Sequence, residues 1–175
     1  MIEVLTTFHK GGWEQYGKRM VETFLQHWPS EIKIHLYCEN VSTGIKDSRV
    51  IEHDIFESCP QIQNFVTQHN NDYNNGIRNG ERDFKYDAIK FCYKVFAQCH
   101  RIKNSQADKL IFIDADTVTF AEPPIEKLEA LLPDDNFTAY IGRPNNKKLP
   151  FAETGFIMYN LKHPNIINFA DVFED

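Results

Sequence analysis

The feature that most constrains the fold is a run of four apolar residues, 110–113 in KLIFIDADTVTF, that ends directly in Asp114 and Asp116. A short apolar run of this kind is typical of a strand that is buried on both faces of a parallel sheet. Ligands of such sheets bind beyond the carboxyl ends of the strands. The two carboxylates therefore mark a candidate site at the end of a central strand.

The rest of the chain alternates between strand patterns and helix patterns. Strands are predicted over residues 2–8, 32–38, 49–54, 109–114, 137–143 and 154–160, and helices over 13–28, 84–100 and the segments that begin at Pro124 and Pro164. This succession predicts an α/β fold with a mainly parallel central sheet flanked by helices. Residues 61–80 contain six Asn and few large apolar side chains, so we expect a mobile loop that folds over the site when ligand binds.

Composition bounds the class of protein. With 175 residues and 42% hydrophobic residues, the chain is long enough for one domain with a hydrophobic core. A net charge of −6 argues against nonspecific binding of nucleic acid or membranes by the whole surface. The four cysteines form no CxxC pair, and Cys92 and Cys99 share a helical face, which favours core packing. No leader or long apolar run is present, so we expect a cytoplasmic protein without a membrane span.

Two aspartates at i and i+2 after a strand can both reach one divalent cation, and hard oxygen ligands suit Mn²⁺ or Mg²⁺. Such an ion needs further oxygens, which a diphosphate can provide. Other readings stay open: a solvated Asp pair that begins a turn, or a non-catalytic module that binds calcium or a nucleotide. The segment also matches the DxDxT motif of haloacid-dehalogenase-like phosphatases, with Asp114 as nucleophile. In that fold the motif follows the first strand, whereas here at least three strands precede it.

The order of these elements resembles that of GT-A glycosyltransferases, which use a nucleotide-sugar donor and a DxD motif. EVLTTFHKGG resembles their first strand and donor loop, YDAIKFCYKVFAQ the helix before the motif, LIFIDADTVTF the motif strand, and AETGFIMYNLKHP a later acceptor-side strand. The resemblance implies a single GT-A-like, Rossmann-like domain over residues 1–175 that lacks much of the usual C-terminal acceptor region. Short chains of this kind resemble enzymes encoded by marine bacteriophages. His163 is the nearest candidate for a third metal ligand, but it lies at the far end of its strand, so we do not assign it.

The resemblance also implies roles for individual residues. Asp116 is the main metal ligand, and Asp114 holds the metal through water or contacts the donor ribose. Thr6, Thr7 and Phe8, at the end of the first strand, form the edge that binds the nucleobase. The implied activity is metal-dependent transfer of a hexose from a UDP-sugar to an unknown acceptor, with Mn²⁺ or Mg²⁺ as cofactor.

Weaker candidates surround this set. Lys90 and Lys94 are placed to approach the donor phosphates, although a solvated helix face explains them equally well. Glu153 is a candidate catalytic base if the reaction inverts the anomeric carbon, whereas a retaining enzyme would not need one. Tyr16 could stack on a base, but its helical spacing with Met20 favours the core. Arg143 is a further candidate for the acceptor or phosphate site.

Overall fold

The computed structural model describes residues 1–142 and 153–174. Its strands are β1 (Ile2–His9), β2 (Lys33–Glu39), β3 (Val50–Asp54), β4 (Asn75–Arg78), β5 (Glu81–Asp87), β6 (Lys109–Ile113), β7 (Thr138–Ile141) and β8 (Glu153–Asn160). Its helices are α1 (Lys10–Gly12), α2 (Lys18–His27), α3 (Ile55–Ser58), α4 (Gln61–His69), α5 (Ala88–Asn104), α6 (Ile125–Leu131) and α7 (Ile166–Glu174). A π-helical turn, Trp13–Gly17, joins α1 to α2.

Within the described residues, six strands form one sheet in the order β3-β2-β1-β6-β8-β7, and β4 pairs with β5 in a separate hairpin. The strands β3, β2, β1 and β6 run parallel, whereas β8 runs antiparallel to both β6 and β7. The predicted α/β fold with a mainly parallel central sheet is therefore confirmed. The carboxyl ends of β1, β2 and β6 lie at one edge of this sheet.

The sheet is buried on both faces. On one face Ile111 and Ile113 of β6 belong to a core cluster with Phe24 of α2. On the other face Leu110 and Phe112 belong to a second cluster with residues of α5 and α7. Each large side chain that becomes fully buried stabilises the fold by about 1.5–3 kcal/mol. The prediction that the strand before Asp114 is buried on both sides is confirmed.

The prediction of a loop over residues 61–80 was wrong. Helix α4 forms there because Ile62 is fully buried in the second core cluster. The asparagines that follow α4 satisfy the backbone of a tight turn: Asn74 Nδ2 donates to the His69 carbonyl at 2.9 Å, and Asn71 Oδ1 accepts from the Asn74 N–H at 3.0 Å. Side-chain amides thus stabilise a segment that has few apolar anchors.

Helix α5 begins four residues later than predicted. The carboxylate of Asp87 caps its first turn and accepts a hydrogen bond from the Lys90 N–H at 2.8 Å. Phe84, which was predicted on the apolar face of this helix, lies in β5 and is 59% exposed. Phe91 is also exposed, whereas Cys92 and Cys99 are buried free thiols, as predicted.

A cluster of polar residues is buried near the amino-terminal end of β1. Glu3 accepts hydrogen bonds from Arg101 Nη2 at 2.6 Å and from the Ser105 hydroxyl at 2.7 Å, and His35 Nδ1 lies 2.9 Å from His53 Nε2. Burial raises the pKa of Glu3, but interactions with His35, Ser105 and Arg101 outweigh burial and lower the pKa to about 2. Burial and the nearby positive charges lower the pKa of His53 to about 4.

Over the described ranges, no helix has the length and apolar character needed to cross a membrane.

Candidate functional site

A cleft of about 320 Å³ lies at the carboxyl ends of β1 and β2. The cleft is closed on one side by the first turns of α5 and on another by the β4–β5 hairpin. Its lining includes Thr7, Phe8, His9, Tyr16, Tyr37, Glu39, Ile55, Asn75, Arg82, Asp87, Ile89, Lys90 and Tyr93. A mixture of aromatic rings, carboxylates and basic side chains suits a ligand that has a flat ring and a negative charge.

Asp114 and Asp116 lie in one tight turn directly after β6. The Asp114 N–H donates to the Gly155 carbonyl of β8 at 2.8 Å, and the Thr117 N–H donates to the Asp114 carbonyl at 3.0 Å. Ala115 between them is buried, which anchors the turn, whereas Asp116 is exposed and the Asp114 side chain is 40% exposed. Both carboxylates are therefore held by the backbone at the edge of the sheet where ligands bind.

Lys94 is the basic residue that contacts this turn directly. Its Nζ lies 2.8 Å from Asp114 Oδ1 and donates to the Thr154 carbonyl at 2.7 Å. The ammonium also lies 4.3 Å from the centroid of the Phe112 ring, and the side chain is only 16% exposed. Lys94 is thus fixed by three contacts next to the acidic turn, unlike a residue on a solvated helix face.

Tyr16 is half-buried and packs against the first core cluster, as its helical spacing predicted, but it also lines the cleft beside the acidic turn. Burial together with the negative charges of Asp116 and Asp114 raises the pKa of its phenol. The hydroxyl packs against Gly12, where an added Cβ would lie only 2.6 Å from the phenol oxygen. A glycine at position 12 therefore makes room for the Tyr16 ring, and the π-helical turn that carries it is a common device at functional sites.

The hairpin contributes residues that sequence reasoning missed. Arg82 Nη2 donates to Asp87 Oδ2 at 2.5 Å, and both residues line the cleft together with Lys90. Burial raises the pKa of Asp87, but the interactions with Arg82 and Lys90 outweigh burial and lower it. Asp87 therefore remains a charged carboxylate that orients Arg82 across the mouth of the cleft. An aspartate directly before a helix, such as Asp87, is a capping signal that can be recognised in the sequence. Its pairing with Arg82 could not be predicted, because the pairing depends on the register of the hairpin.

The remaining predicted site residues lie in different places. Thr7 and Phe8 line the cleft, but Thr6 is fully buried, does not line it, and has a hydroxyl without a hydrogen-bond partner among the described residues. The backbone of Glu153 begins β8, two residues from the Gly155 carbonyl that holds Asp114. Arg143 lies outside the described residues.

His163 lies at the opposite end of the sheet. It follows Asn160, which pairs with Lys109 at the start of β6, so the whole length of β6 separates it from the acidic turn. At this position His163 is too far from Asp114 and Asp116 to share a cation with them.

The donor set at the acidic turn consists of two carboxylates. No group of three His, Cys, Asp or Glu side chains that could hold a metal is found among residues 1–142 and 153–174. Two exposed carboxylates fit a hard divalent cation only when a bound molecule supplies further oxygens, since Mg²⁺ and Mn²⁺ prefer six coordinating atoms. The site therefore fits a cation that binds together with a diphosphate better than a cation alone.

Comparison with solved structures places the fold. Mouse xyloside xylosyltransferase 1 in its apo form matches with a TM-score of 0.59 and 14% identity over 99% of this chain and 71% of that one. The apo structure of the bifunctional glycosyltransferase WbbM matches with a TM-score of 0.59 and 14% identity over 99% of this chain and 33% of that one. The galactosyltransferase LgtC, in complex with donor and acceptor sugar analogues, matches with a TM-score of 0.52 and 10% identity over 98% of this chain and 63% of that one.

These likenesses show that the chain has the fold of GT-A glycosyltransferases. The chain spans about a third of WbbM and less than two thirds of LgtC. No protein-family model matches the sequence. No curated protein matches it either.

Proposed function

We propose that the chain transfers a sugar from a nucleotide-sugar donor, a UDP-sugar, to an acceptor, in a reaction that depends on Mn²⁺ or Mg²⁺. The observation that carries the proposal is the position of Asp114 and Asp116, in a backbone-fixed turn at the edge of the sheet that also forms the cleft. The fold shared with glycosyltransferases supports the same reaction class. UDP is the donor nucleotide that the family resemblance implies.

Asp114 and Asp116 would hold the cation. A bound divalent ion would offset the charge of the diphosphate as it leaves the transferred sugar. Lys94 lies against Asp114 and adds a fixed positive charge on the same side. Lys90 and Arg82 line the cleft, so these two basic side chains would add to the charge of Lys94 where the donor phosphates bind.

The nucleoside would occupy the cleft between β1 and the hairpin. Thr7 and Phe8 form its floor, and the half-buried ring of Tyr16 offers a face for stacking against the base. Phe8 is itself fixed by stacking on Trp13, with ring centroids 5.2 Å apart. A preformed floor reduces the entropy that is lost when the nucleoside binds.

The sugar would extend from the diphosphate toward the start of β8. Glu153 begins that strand and is the candidate base for an inverting reaction, because its backbone is close in sequence to the carbonyl that holds Asp114. A retaining reaction would leave Glu153 without this role, and the effect of Glu153→Gln on turnover therefore bears on the stereochemistry.

The test is a panel of UDP-, GDP- and TDP-sugars with Mn²⁺, scored for nucleotide binding by calorimetry and for diphosphate release by chromatography. The proposal expects UDP-sugar binding that depends on the metal, with slow release of UDP to water. Turnover of a generic phosphomonoester without any nucleotide-sugar binding would instead favour the phosphatase alternative, with Asp114 as nucleophile. Nucleotide binding without turnover, with water or with any of a range of sugar acceptors, would favour a non-catalytic binding module.

A further inference from the structure

The β4–β5 hairpin and the turn that precedes it carry three large aromatic side chains that are exposed. Tyr73 is 68% exposed, Phe84 59% and Tyr86 57%. Large aromatic side chains that lie together on a solvent-exposed surface are typical of a binding site. We call these three residues and Arg78 the aromatic platform.

The platform is held in a fixed shape by Arg78. The guanidinium carbon of Arg78 lies 3.6 Å from the centroid of the Tyr73 ring and 5.1 Å from that of Tyr86. Its Nη1 also donates to the Tyr73 carbonyl at 2.5 Å and to the Ile77 carbonyl at 3.0 Å. The two rings are therefore ordered before any ligand arrives, which lowers the entropic cost of stacking.

The backbone of the hairpin makes Phe84 and Tyr86 protrude. Asn75 pairs with Asp87 and Ile77 with Arg82, so residues 83–86 bulge out opposite Gly76 alone. Gly76 has a φ of 75°, and an added Cβ would lie 2.5 Å from the Asp83 carbonyl oxygen. A glycine is needed here, and the bulge that it permits presents the aromatic rings.

The bulge that carries Phe84 and Tyr86 is flanked by residues of the candidate donor cleft. Arg82 and Asp87, which flank the bulge in sequence, both line the cleft, as does Asn75 on the paired strand. A molecule bound on the platform would therefore lie beside the donor. Of the groups that a glycosyltransferase joins, the acceptor is the one that must occupy this position.

We propose that the aromatic platform is a stacking site for a saccharide acceptor, an inference that rests on the proposed glycosyltransferase function. The apolar C–H face of a pyranose ring packs on an aromatic ring, while its hydroxyl groups need polar partners at the edge. The guanidinium of Arg78, which lies against the Tyr73 and Tyr86 rings, supplies hydrogen-bond donors of this kind beside them. A peptide or a second copy of the chain would use the rings without needing these donors.

The test measures saccharide binding apart from catalysis. Saturation-transfer NMR on the full chain would use cellobiose, lactose and N,N′-diacetylchitobiose as probes, with sorbitol as a polyol that has no pyranose face. Tyr86→Ala and Tyr73→Ala are compared with Tyr140→Ala on β7, because Tyr140 is 58% exposed and lies on the edge strand at the other side of the sheet. Calorimetry with UDP and Mn²⁺ runs in parallel on each variant.

The proposal expects at least one disaccharide to bind the parent and sorbitol not to bind. Each platform variant should lose about fivefold to tenfold in disaccharide affinity, while Tyr140→Ala and the UDP affinity of every variant stay unchanged. Equal disaccharide binding by parent and platform variants would overturn the platform, as would binding of no disaccharide by the parent. A mass that falls from dimer to monomer in Tyr86→Ala, measured by light scattering, would also overturn it in favour of self-association. If the parent fails to bind UDP, the proposed function fails separately, and the disaccharide result still decides the platform.

Discussion

Replacing Lys94 by Met tests whether the acidic turn depends on this side chain. Methionine keeps the length and apolar stem of lysine but removes the charge. Three contacts disappear together: the ion pair with Asp114, the hydrogen bond to the Thr154 carbonyl and the ammonium contact with the Phe112 ring. The Asp114 backbone remains held by Gly155, so the turn itself should persist.

The size of the effect follows from the exposure of each contact. The ion pair contributes at most about 1 kcal/mol, because the Asp114 side chain is 40% exposed and water screens it. The hydrogen bond contributes about 1 kcal/mol and the ammonium–ring contact about 0.5 kcal/mol. Methionine packing on Phe112 recovers part of this sum, which leaves a loss of about 2 kcal/mol. For a chain of this length the melting temperature should fall by about 4–8 °C.

The assay is urea unfolding followed by far-ultraviolet circular dichroism, supported by thermal scans. Lys90→Met is the matched control, since Lys90 lies one turn earlier on α5 and is exposed, so its change should stay within about 0.5 kcal/mol. Equal stabilities for Lys94→Met and the parent would refute the reasoning. So would an equal loss in Lys90→Met, because the effect would then come from charge on the helix in general.

Three further results are expected. First, the pKa of His53 is lowered to about 4, so the folded state keeps the ring neutral while the unfolded chain takes up a proton below about pH 6.5. The free energy of unfolding should therefore fall by about 1–3 kcal/mol as the pH drops from 6.5 to 4. Urea titrations should show a flatter pH dependence of this free energy in His53→Gln. Second, Tyr16→Ala should weaken UDP binding by about tenfold in calorimetry while Tyr140→Ala leaves it unchanged, and equal affinities would remove Tyr16 from the site. Third, amide hydrogen exchange in residues 70–87 should slow when UDP and Mn²⁺ are added, and strong protection that is equal with and without ligand would exclude closure of the hairpin over the cleft.

The sheet could be predicted because its signals are local. The apolar run of β6 and the alternation of β2 each define a strand without reference to distant residues, and the acid pair marks the end of β6. Parallel pairing of β1 with β2 then follows from the helix between them, whereas β2 and β3 are parallel without an intervening helix. For this reason the position of Asp114, Asp116, Thr7 and Phe8 at the carboxyl ends of β6 and β1 could be predicted from the sequence.

The hairpin and the position of Tyr16 in the cleft could not be predicted because they depend on long-range geometry. The β4–β5 pairing rests on a glycine-dependent bulge and on asparagine side chains that mimic backbone partners, neither of which gives a periodic pattern. Tyr16 has the helical spacing of a core residue and does pack against the first core cluster, so nothing in that spacing indicated that it also lines the cleft. Lys94 reaches Asp114 across 20 residues of sequence, so the spacing along α5 alone left its role open.

The role proposed for Asp114 and Asp116 is to hold a divalent cation together with a diphosphate. Calorimetric titration of UDP into Asp116→Asn, with Mn²⁺ and again with EDTA, tests this role. The substitution keeps size and removes charge at an exposed position, so the fold should persist. Asp135→Asn, in the exposed turn after α6, controls for the loss of one negative charge.

UDP affinity in Mn²⁺ should fall by about 2–4 kcal/mol in Asp116→Asn, or roughly 30-fold to 1,000-fold, with no change in Asp135→Asn. In EDTA the parent and Asp116→Asn should bind UDP equally weakly. A melting temperature that drops in Asp116→Asn, together with a UDP affinity in Mn²⁺ equal to that of the parent, would exclude this role, because the pair would then serve only to end β6 and shape the turn.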